Sequence, residues 1–116
     1  MHNLLRMEIA RQYLAEAILD QAIAYVDAEL SVLPLRLDES KAPAIKWKPR
    51  SSALPRWKEL ANDFSKPAGI GVVCGVVSGG LEVLDFAAAE LFEPWRKSVA
   101  GFAGKLPTVC RAVDGF

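Results

Sequence analysis

The sequence has few of the residues on which several common sites depend. Its single histidine, His2, lies beside the N-terminus, which excludes histidine-based catalytic triads and zinc sites built from clustered histidines. The sequence also lacks an excess of either charge, because its 14 basic and 14 acidic side chains cancel. Proteins that bind nucleic acid mainly through phosphates usually carry a clear basic excess. Any nucleic-acid-binding surface must therefore be local.

Cysteine and long apolar runs are equally scarce. Both cysteines, Cys74 and Cys110, lie in apolar runs, which predicts buried reduced thiols. No stretch approaches the ~18 uninterrupted apolar residues of a membrane span, and residues 1–6 lack the apolar core and cleavage site of a signal peptide. We therefore expect a cytoplasmic protein without a membrane partner.

What is present is an ordinary globular composition, 52% hydrophobic and 24% charged over 116 residues, which suits a single domain, 1–116. Apolar residues at helical spacing (Met7, Ala10, Leu14, Ala17, Ile18, Tyr25) predict an amphipathic helix packed on a sheet. Helices are expected over about 4–28, about 52–64 with Ser52 as N-cap, and about 88–100, and strands over about 31–35, 69–74, 81–86 and 107–111. The predicted fold class is α/β in the broad sense (α+β), a small mixed sheet with flanking helices.

Three finer expectations accompany these elements. Pro34 suits a strand end because it cannot donate to a ladder, and Pro94 is expected to start a second helical segment. The glycine-rich turn over 75–80 makes 69–74 and 81–86 either a β-hairpin or two adjacent core strands.

A basic segment interrupts this neutral chain over residues 36–66. Eight basic residues face four acidic ones there, a local net charge of +4. The part over 36–50 is predicted to be a loop, with Trp47 set between Lys46 and Lys48. Such a loop could bind nucleic acid by phosphate pairing and stacking, or it could be a solvated loop that Trp47 anchors to the core. Trp57 and Trp95, on amphipathic helices, are expected in the core.

Asp85 follows an apolar run, and two roles are open for it. A carboxylate at a strand end is a common metal-binding or catalytic group, whereas an aspartate just before a helix is a common cap. The glycines at 69 and 71 do not form a dinucleotide-binding fingerprint, because a third glycine is missing and the run continues as a strand.

Four segments in order resemble the N-terminal half of the bifunctional DNA primase/polymerase (prim-pol) domain of the archaeo-eukaryotic primase superfamily. They are residues 31–35, 41–47, 69–75 and 78–86. The resemblance covers roughly residues 10–116. It implies a role in replicating a plasmid, phage or integrated element, by template-directed nucleotidyl transfer from NTPs or dNTPs. The implied partners are single-stranded DNA template, nucleotide, and a replicative helicase domain or protein.

The resemblance also assigns site residues. In the family, a strand carries an Asp-x-Asp pair that holds Mg²⁺ or Mn²⁺. Asp85 matches the first carboxylate, but the second position is Ala87, which cannot ligate a metal. The chain stops after Asp114-Gly115-Phe116, where the family has a triphosphate-contacting histidine. We therefore expect an inactive portion of the catalytic domain.

The remaining candidate residues concern nucleotide and template. Lys41, Lys46 and Trp47 are expected to contact template or the initiating nucleotide. Residues Ser78-Gly79-Gly80 either approach a phosphate with backbone amides or form a tight turn between strands. The alternative to a primase/polymerase portion is a non-catalytic remnant that binds single-stranded DNA or nucleotide weakly.

Overall fold

The computed structural model describes residues 2–99 and 101, and the chain divides into two compact units between Val83 and Leu84. The elements are α1 (His2–Asp27), β1 (Ser31–Leu35), α2 (Trp57–Asp63), β2 (Gly69–Val73) and α3 (Ala89–Ser98). Two 3₁₀ turns, Lys48–Ser51 and Val76–Ser78, accompany them. Over the described residues the protein is a small α+β fold with a two-stranded antiparallel sheet, which confirms the predicted fold class.

Helix α1 ends in a turn that directs the chain into β1. Glu29 adopts a positive φ of 66°, the left-handed conformation common just beyond a helix. Its N–H donates to the Val26 carbonyl over 2.8 Å, and the Leu30 N–H donates to the Tyr25 carbonyl over 3.0 Å. These are the two hydrogen bonds of a Schellman motif. None of the helices over the described residues is long and apolar enough to cross a membrane.

The core of the first unit lies between α1, α2 and β1. Its buried cluster is Ala22, Val32, Leu60 and Phe64, with Ile18 and Tyr25 packed against it. The predicted stripe of α1 is therefore correct only in the C-terminal half of the helix. Its four earlier members (Met7, Ala10, Leu14, Ala17) are exposed, because α1 is about 39 Å long whereas five-residue strands reach only about 16 Å.

The sheet pairs β1 with β2, in the register Ser31↔Val73 to Leu35↔Gly69. Pro34 lies inside β1, not at its end, and its carbonyl accepts a hydrogen bond from Ala44 N–H on the side away from β2. The missing proline N–H belongs to that same side, so it removes no bond to β2.

The predicted strand over 81–86 and its hairpin with β2 are wrong. Leu81 makes a single bridge with Gly75, and residues 82–86 are not a strand. Gly79 and Gly80 have φ of 70° and 84°, and they close a tight turn immediately after the 3₁₀ turn at Val76–Ser78. The returning chain therefore meets the outgoing chain at one residue only. The predicted strand over 107–111, with Cys110, lies outside the described residues.

The helix expected over 52–64 begins later, at Trp57, and Ser52 ends the preceding 3₁₀ turn instead of capping α2. Pro55 prevents a helix from running on from Ser52, because a proline disfavours helical backbone in the residue before it, here Leu54. The N-cap is Arg56, whose N–H donates to Glu59 Oε1 over 3.0 Å. Trp57 is 66% exposed, so its predicted place in the core is wrong.

In the second unit, α3 is one helix with Pro94 inside it, so the predicted second segment does not form. Trp95 is half-buried and packs on Phe86 and Phe92, at centroid distances of 5.2 and 6.2 Å. Cys74, in the first unit, is exposed and not disulfide-bonded, so its predicted burial is wrong. It follows the last residue of β2, where the chain leaves the sheet.

Candidate nucleic-acid interface

The predicted basic loop starts as a short excursion from the end of β1. Leu35 bridges to Pro43, and the Arg36 N–H donates to the Ala42 carbonyl over 2.8 Å. Lys41 lies at the tip of this excursion, exposed, with a positive φ of 50°. These backbone contacts at the base of the excursion fix the position of its tip, and so of Lys41, relative to β1.

Asp38 organises the tip of the same excursion. Its Oδ1 accepts hydrogen bonds from the Ser40 N–H, over 3.0 Å, and from the Ser40 hydroxyl. The hydroxyl bond is the main reason that the pKa of Asp38 lies below its ordinary value of 3.8. The Ser40 N–H and the positive charge of Arg36, whose Nε lies 3.2 Å from Oδ2, act in the same direction. The carboxylate therefore stays ionised and keeps the turn closed.

Trp47 lies on the surface at the far end of the loop. Its side chain is 52% exposed, and Lys46 and Lys48 on either side are exposed as well. The loop-anchor alternative, with Trp47 packed away onto the core, does not describe this geometry. The Trp47 carbonyl accepts a hydrogen bond from Arg50 N–H over 2.9 Å, which ties its backbone to the 3₁₀ turn at Lys48–Ser51.

The anchor of this loop is Arg50, whose side chain is only 5% exposed although it lies in the most basic part of the sequence. Its Nη1 donates to the Val32 carbonyl over 3.0 Å. Its Nη2 lies 2.7 Å from Asp63 Oδ2, and the Asp63 side chain is also 5% exposed. The contact is a buried ion pair, and Arg50 is the one partner that Asp63 Oδ2 has in the described part of the chain. Glu59 Oε2 is a second, more distant partner of Arg50 at 3.5 Å.

Ser31, the first residue of β1, joins two of the predicted binding segments. Its hydroxyl donates to the Arg50 carbonyl over 2.6 Å, beside the Lys46–Trp47 segment. Its N–H donates to Ser78 Oγ over 2.9 Å, in the glycine turn. The structure therefore brings the turn at Ser78–Gly80 and the Trp47 segment to the same end of β1, whereas Lys41 extends from the other end.

Hydrogen bonds within the fold account for the Ser78 hydroxyl and for the N–H groups of the glycine turn. The Ser78 hydroxyl, nearly buried, donates to the Val73 carbonyl over 2.5 Å while it accepts from Ser31, and so it extends the ladder between β1 and β2. The N–H groups of Ser78, Gly79 and Gly80 all donate to carbonyls within the turn. Of the two roles left open for these residues, the tight turn accounts for these bonds. Phosphate binding by them stays a prediction.

Sequence reasoning missed a shallow cavity of about 310 Å³ beside the basic loop that carries Lys46 and Trp47. Its polar lining includes Lys46, Arg50, Asn62 and Asp63. The relevant signal was present in α2, where Glu59 and Asp63 are four residues apart and so lie on one face of the helix. Such a pair of carboxylates next to a basic loop indicates a salt-bridge partner in that loop.

Asp85 belongs to the second unit, where it lies exposed in the irregular segment before α3. The residue at the N-cap of α3 is Ala88, whose side chain cannot cap a helix. Because no strand forms over 81–86, the alternation that places positions i and i+2 on one face is lost, and position 87 is alanine. Over residues 2–99 and 101, no group of three or more His, Cys, Asp or Glu side chains is placed to hold a metal ion. These residues do not fit a two-metal centre.

Comparison with known proteins adds no relative: no family model, curated protein or solved structure matches the chain.

Proposed function

We propose that the chain is a non-catalytic module that binds single-stranded nucleic acid through the loop carrying Lys46, Trp47 and Lys48. We further propose that it corresponds to the N-terminal portion of a prim-pol domain, because four segments that resemble that family occur in the family's order. Its setting is then the replication of a plasmid, phage or integrated element in the cytoplasm. Template DNA, nucleotides and a replicative helicase are the expected partners.

The observation that carries the binding proposal is the exposure of Trp47 between two exposed lysines. An aromatic face of this kind stacks on a base of any sequence, which contributes about 1–3 kcal/mol per base. The flanking ammonium groups bind phosphates and release counterions. Single-stranded nucleic acid presents unpaired bases and closely spaced phosphates together, so it fits both features at once.

Rigidity supports the same proposal. A loop that becomes ordered only on binding loses conformational entropy, which weakens affinity. The backbone of Trp47 is held in advance by the Arg50 N–H, and Arg50 is held by Val32, Asp63 and Ser31. The stacking surface is therefore attached to the core before any ligand arrives.

Catalysis is not part of the proposal. Ala87 stands where the family has its second metal carboxylate, and the residues around Asp85 do not fit a metal pair. In a two-metal reaction, loss of a metal-binding carboxylate removes stabilisation of the transition state and raises the barrier by several kcal/mol. We therefore expect no primer extension on a single-stranded template with Mn²⁺ and dNTPs, and robust synthesis would refute this part.

Binding is tested by fluorescence anisotropy with a labelled single-stranded oligothymidine at low and moderate salt. We expect Trp47→Ala to weaken binding about tenfold, the equivalent of about 1.4 kcal/mol of lost stacking. Lys46→Ala combined with Lys48→Ala should reduce the salt dependence of binding. Trp57→Ala is the matched control, since Trp57 is also exposed but lies on α2, outside the loop.

Two results would contradict the proposal. One is no detectable binding of the intact chain at low salt. The other is an equal loss of affinity in the Trp47 and Trp57 variants, because that result would indicate non-specific contact with any exposed aromatic ring.

A further inference from the structure

The two edges of the sheet differ in the first unit. On the outer edge of β1, Arg50 Nη1 donates to the Val32 carbonyl and the Ala44 N–H donates to the Pro34 carbonyl. Even-numbered residues of β1 therefore point their backbone groups away from β2. Val32 pairs with Val72 and Pro34 with Ile70, so the even-numbered residues of β2 point their backbone groups away from β1.

The outer edge of β2 thus consists of the N–H and C=O groups of Ile70 and Val72. Over residues 2–99 and 101, no strand pairs with this edge. Proteins usually protect such an edge with charge, proline or a covering element. Here residues 68–81 contain no proline and no charged side chain, and Val72 is 39% exposed.

We propose that β2 is a self-association edge, on which a second copy of this chain adds its own β2 in antiparallel orientation. A twofold axis beside Gly71 places Ile70 of each copy opposite Val72 of the other. The four N–H and C=O groups on each edge are then all used, in four hydrogen bonds.

The charge pattern favours a second copy as the occupant. An isologous contact sets each strand against its own sequence, so any charge on the edge would meet a like charge on the other copy. The uncharged run over 68–81 removes that repulsion. Strand pairing of this length buries less area than a standard stable interface, so we expect a weak dimer, formed from micromolar to millimolar concentrations. This inference is independent of the proposed nucleic-acid binding.

Sedimentation velocity over that concentration range tests the dimer. We expect Val72→Lys to weaken association at least about tenfold, because the two new ammonium groups face each other diagonally across the pair. Val76→Lys is the matched control: Val76 is 94% exposed in the adjacent 3₁₀ turn, off the edge of β2. Circular dichroism of both variants establishes that they are folded.

Cross-linking tests the register. In the proposed pairing, position 68 of one copy lies opposite Cys74 of the other, within the ~4.4–6.8 Å between Cα atoms that a disulfide spans. Ala68→Cys is therefore expected to give a reducible covalent dimer under mild oxidation. The unmodified chain should not, since its two Cys74 residues lie six positions apart, about 20 Å.

Three results would overturn the proposal. The first is a monomer across the whole concentration range. The second is equal association of the Val72→Lys chain and the unmodified chain. The third is slow hydrogen exchange of the amides at positions 70 and 72 in the monomeric Val72→Lys variant, because the edge would then be covered by another segment of the same chain.

Discussion

Replacing Arg50 by alanine tests whether a buried ion pair holds the loop that carries Trp47. The substitution removes a guanidinium that is 2.7 Å from Asp63 Oδ2 and that donates to the Val32 carbonyl over 3.0 Å. It leaves behind a carboxylate that is 5% exposed. We therefore expect a large loss of stability, caused mainly by the charge that remains.

The magnitude follows from comparison with other buried pairs. Removing one partner of such a pair costs about 3–5 kcal/mol, because the remaining ion is desolvated without compensation. A protein of this size has a free energy of unfolding of about 5–15 kcal/mol, so the loss is a large share of the total. The double variant Arg50→Met with Asp63→Leu removes both charges, and it should be more stable than Arg50→Ala. Glu59→Gln should cost less than about 1 kcal/mol, since Glu59 is 46% exposed and 3.5 Å away.

Urea unfolding, followed by far-ultraviolet circular dichroism, measures all four chains. The single variants Arg50→Met and Asp63→Leu, added to the double variant and the unmodified chain, complete a double-mutant cycle that gives the coupling free energy between Arg50 and Asp63. A loss below about 1 kcal/mol for Arg50→Ala would refute the reasoning, because the pair would then be screened by water despite its burial. An Arg50→Ala variant as stable as the double variant would also refute it.

Two further predictions concern the ends of the sheet and of the loop. Ser78→Ala should reduce the free energy of unfolding by about 1–3 kcal/mol, because it leaves the buried Ser31 N–H without its acceptor. The control Ser51→Ala removes an exposed hydroxyl and should change the free energy of unfolding by less than about 0.5 kcal/mol. Urea unfolding measures both variants. An NMR titration should place the pKa of Asp38 below 3.8 and return it towards 3.8 in Ser40→Ala. Since the folded pKa is the lower one, the stability contributed by Asp38 is present above pH 3.8 and is lost as pH falls through the folded pKa.

Local patterns were sufficient for the elements whose formation is local. The apolar spacing predicts a helix over about 4–28, and the structure has α1 at His2–Asp27. The β-branched and apolar runs predict strands at 31–35 and 69–74, close to β1 and β2. Which strands pair is not a local property, because β1 and β2 are separated by more than 30 residues of loop and helix. The prediction therefore joined the two runs nearest in sequence, and that hairpin does not form.

The burial of one charged side chain is the second feature that local sequence patterns could not predict. In the sequence, Arg50 is one of eight basic residues in a polar segment, and nothing in its neighbours distinguishes it from the exposed Lys48. What selects it is the 3₁₀ turn at Lys48–Ser51, which directs this side chain towards Val32 and Asp63. The Ser31 hydroxyl, which is far from this turn in the sequence, donates to the Arg50 carbonyl and attaches the turn to β1. The carboxylates of α2 indicate that some basic residue of the loop is their partner, but the sequence does not show that this residue is Arg50.

The buried pair of Arg50 and Asp63 is a weak source of stability compared with apolar side chains of similar volume, because both ions lose their hydration. Its position suggests what it contributes instead. The Arg50 side chain connects the edge of β1 to the face of α2, which an apolar side chain could not do, and the Arg50 backbone N–H bonds to the Trp47 carbonyl. If this connection orients Trp47, the double variant should keep its stability and still lose affinity for single-stranded DNA. Unchanged affinity in that variant would show that Trp47 needs no such anchor.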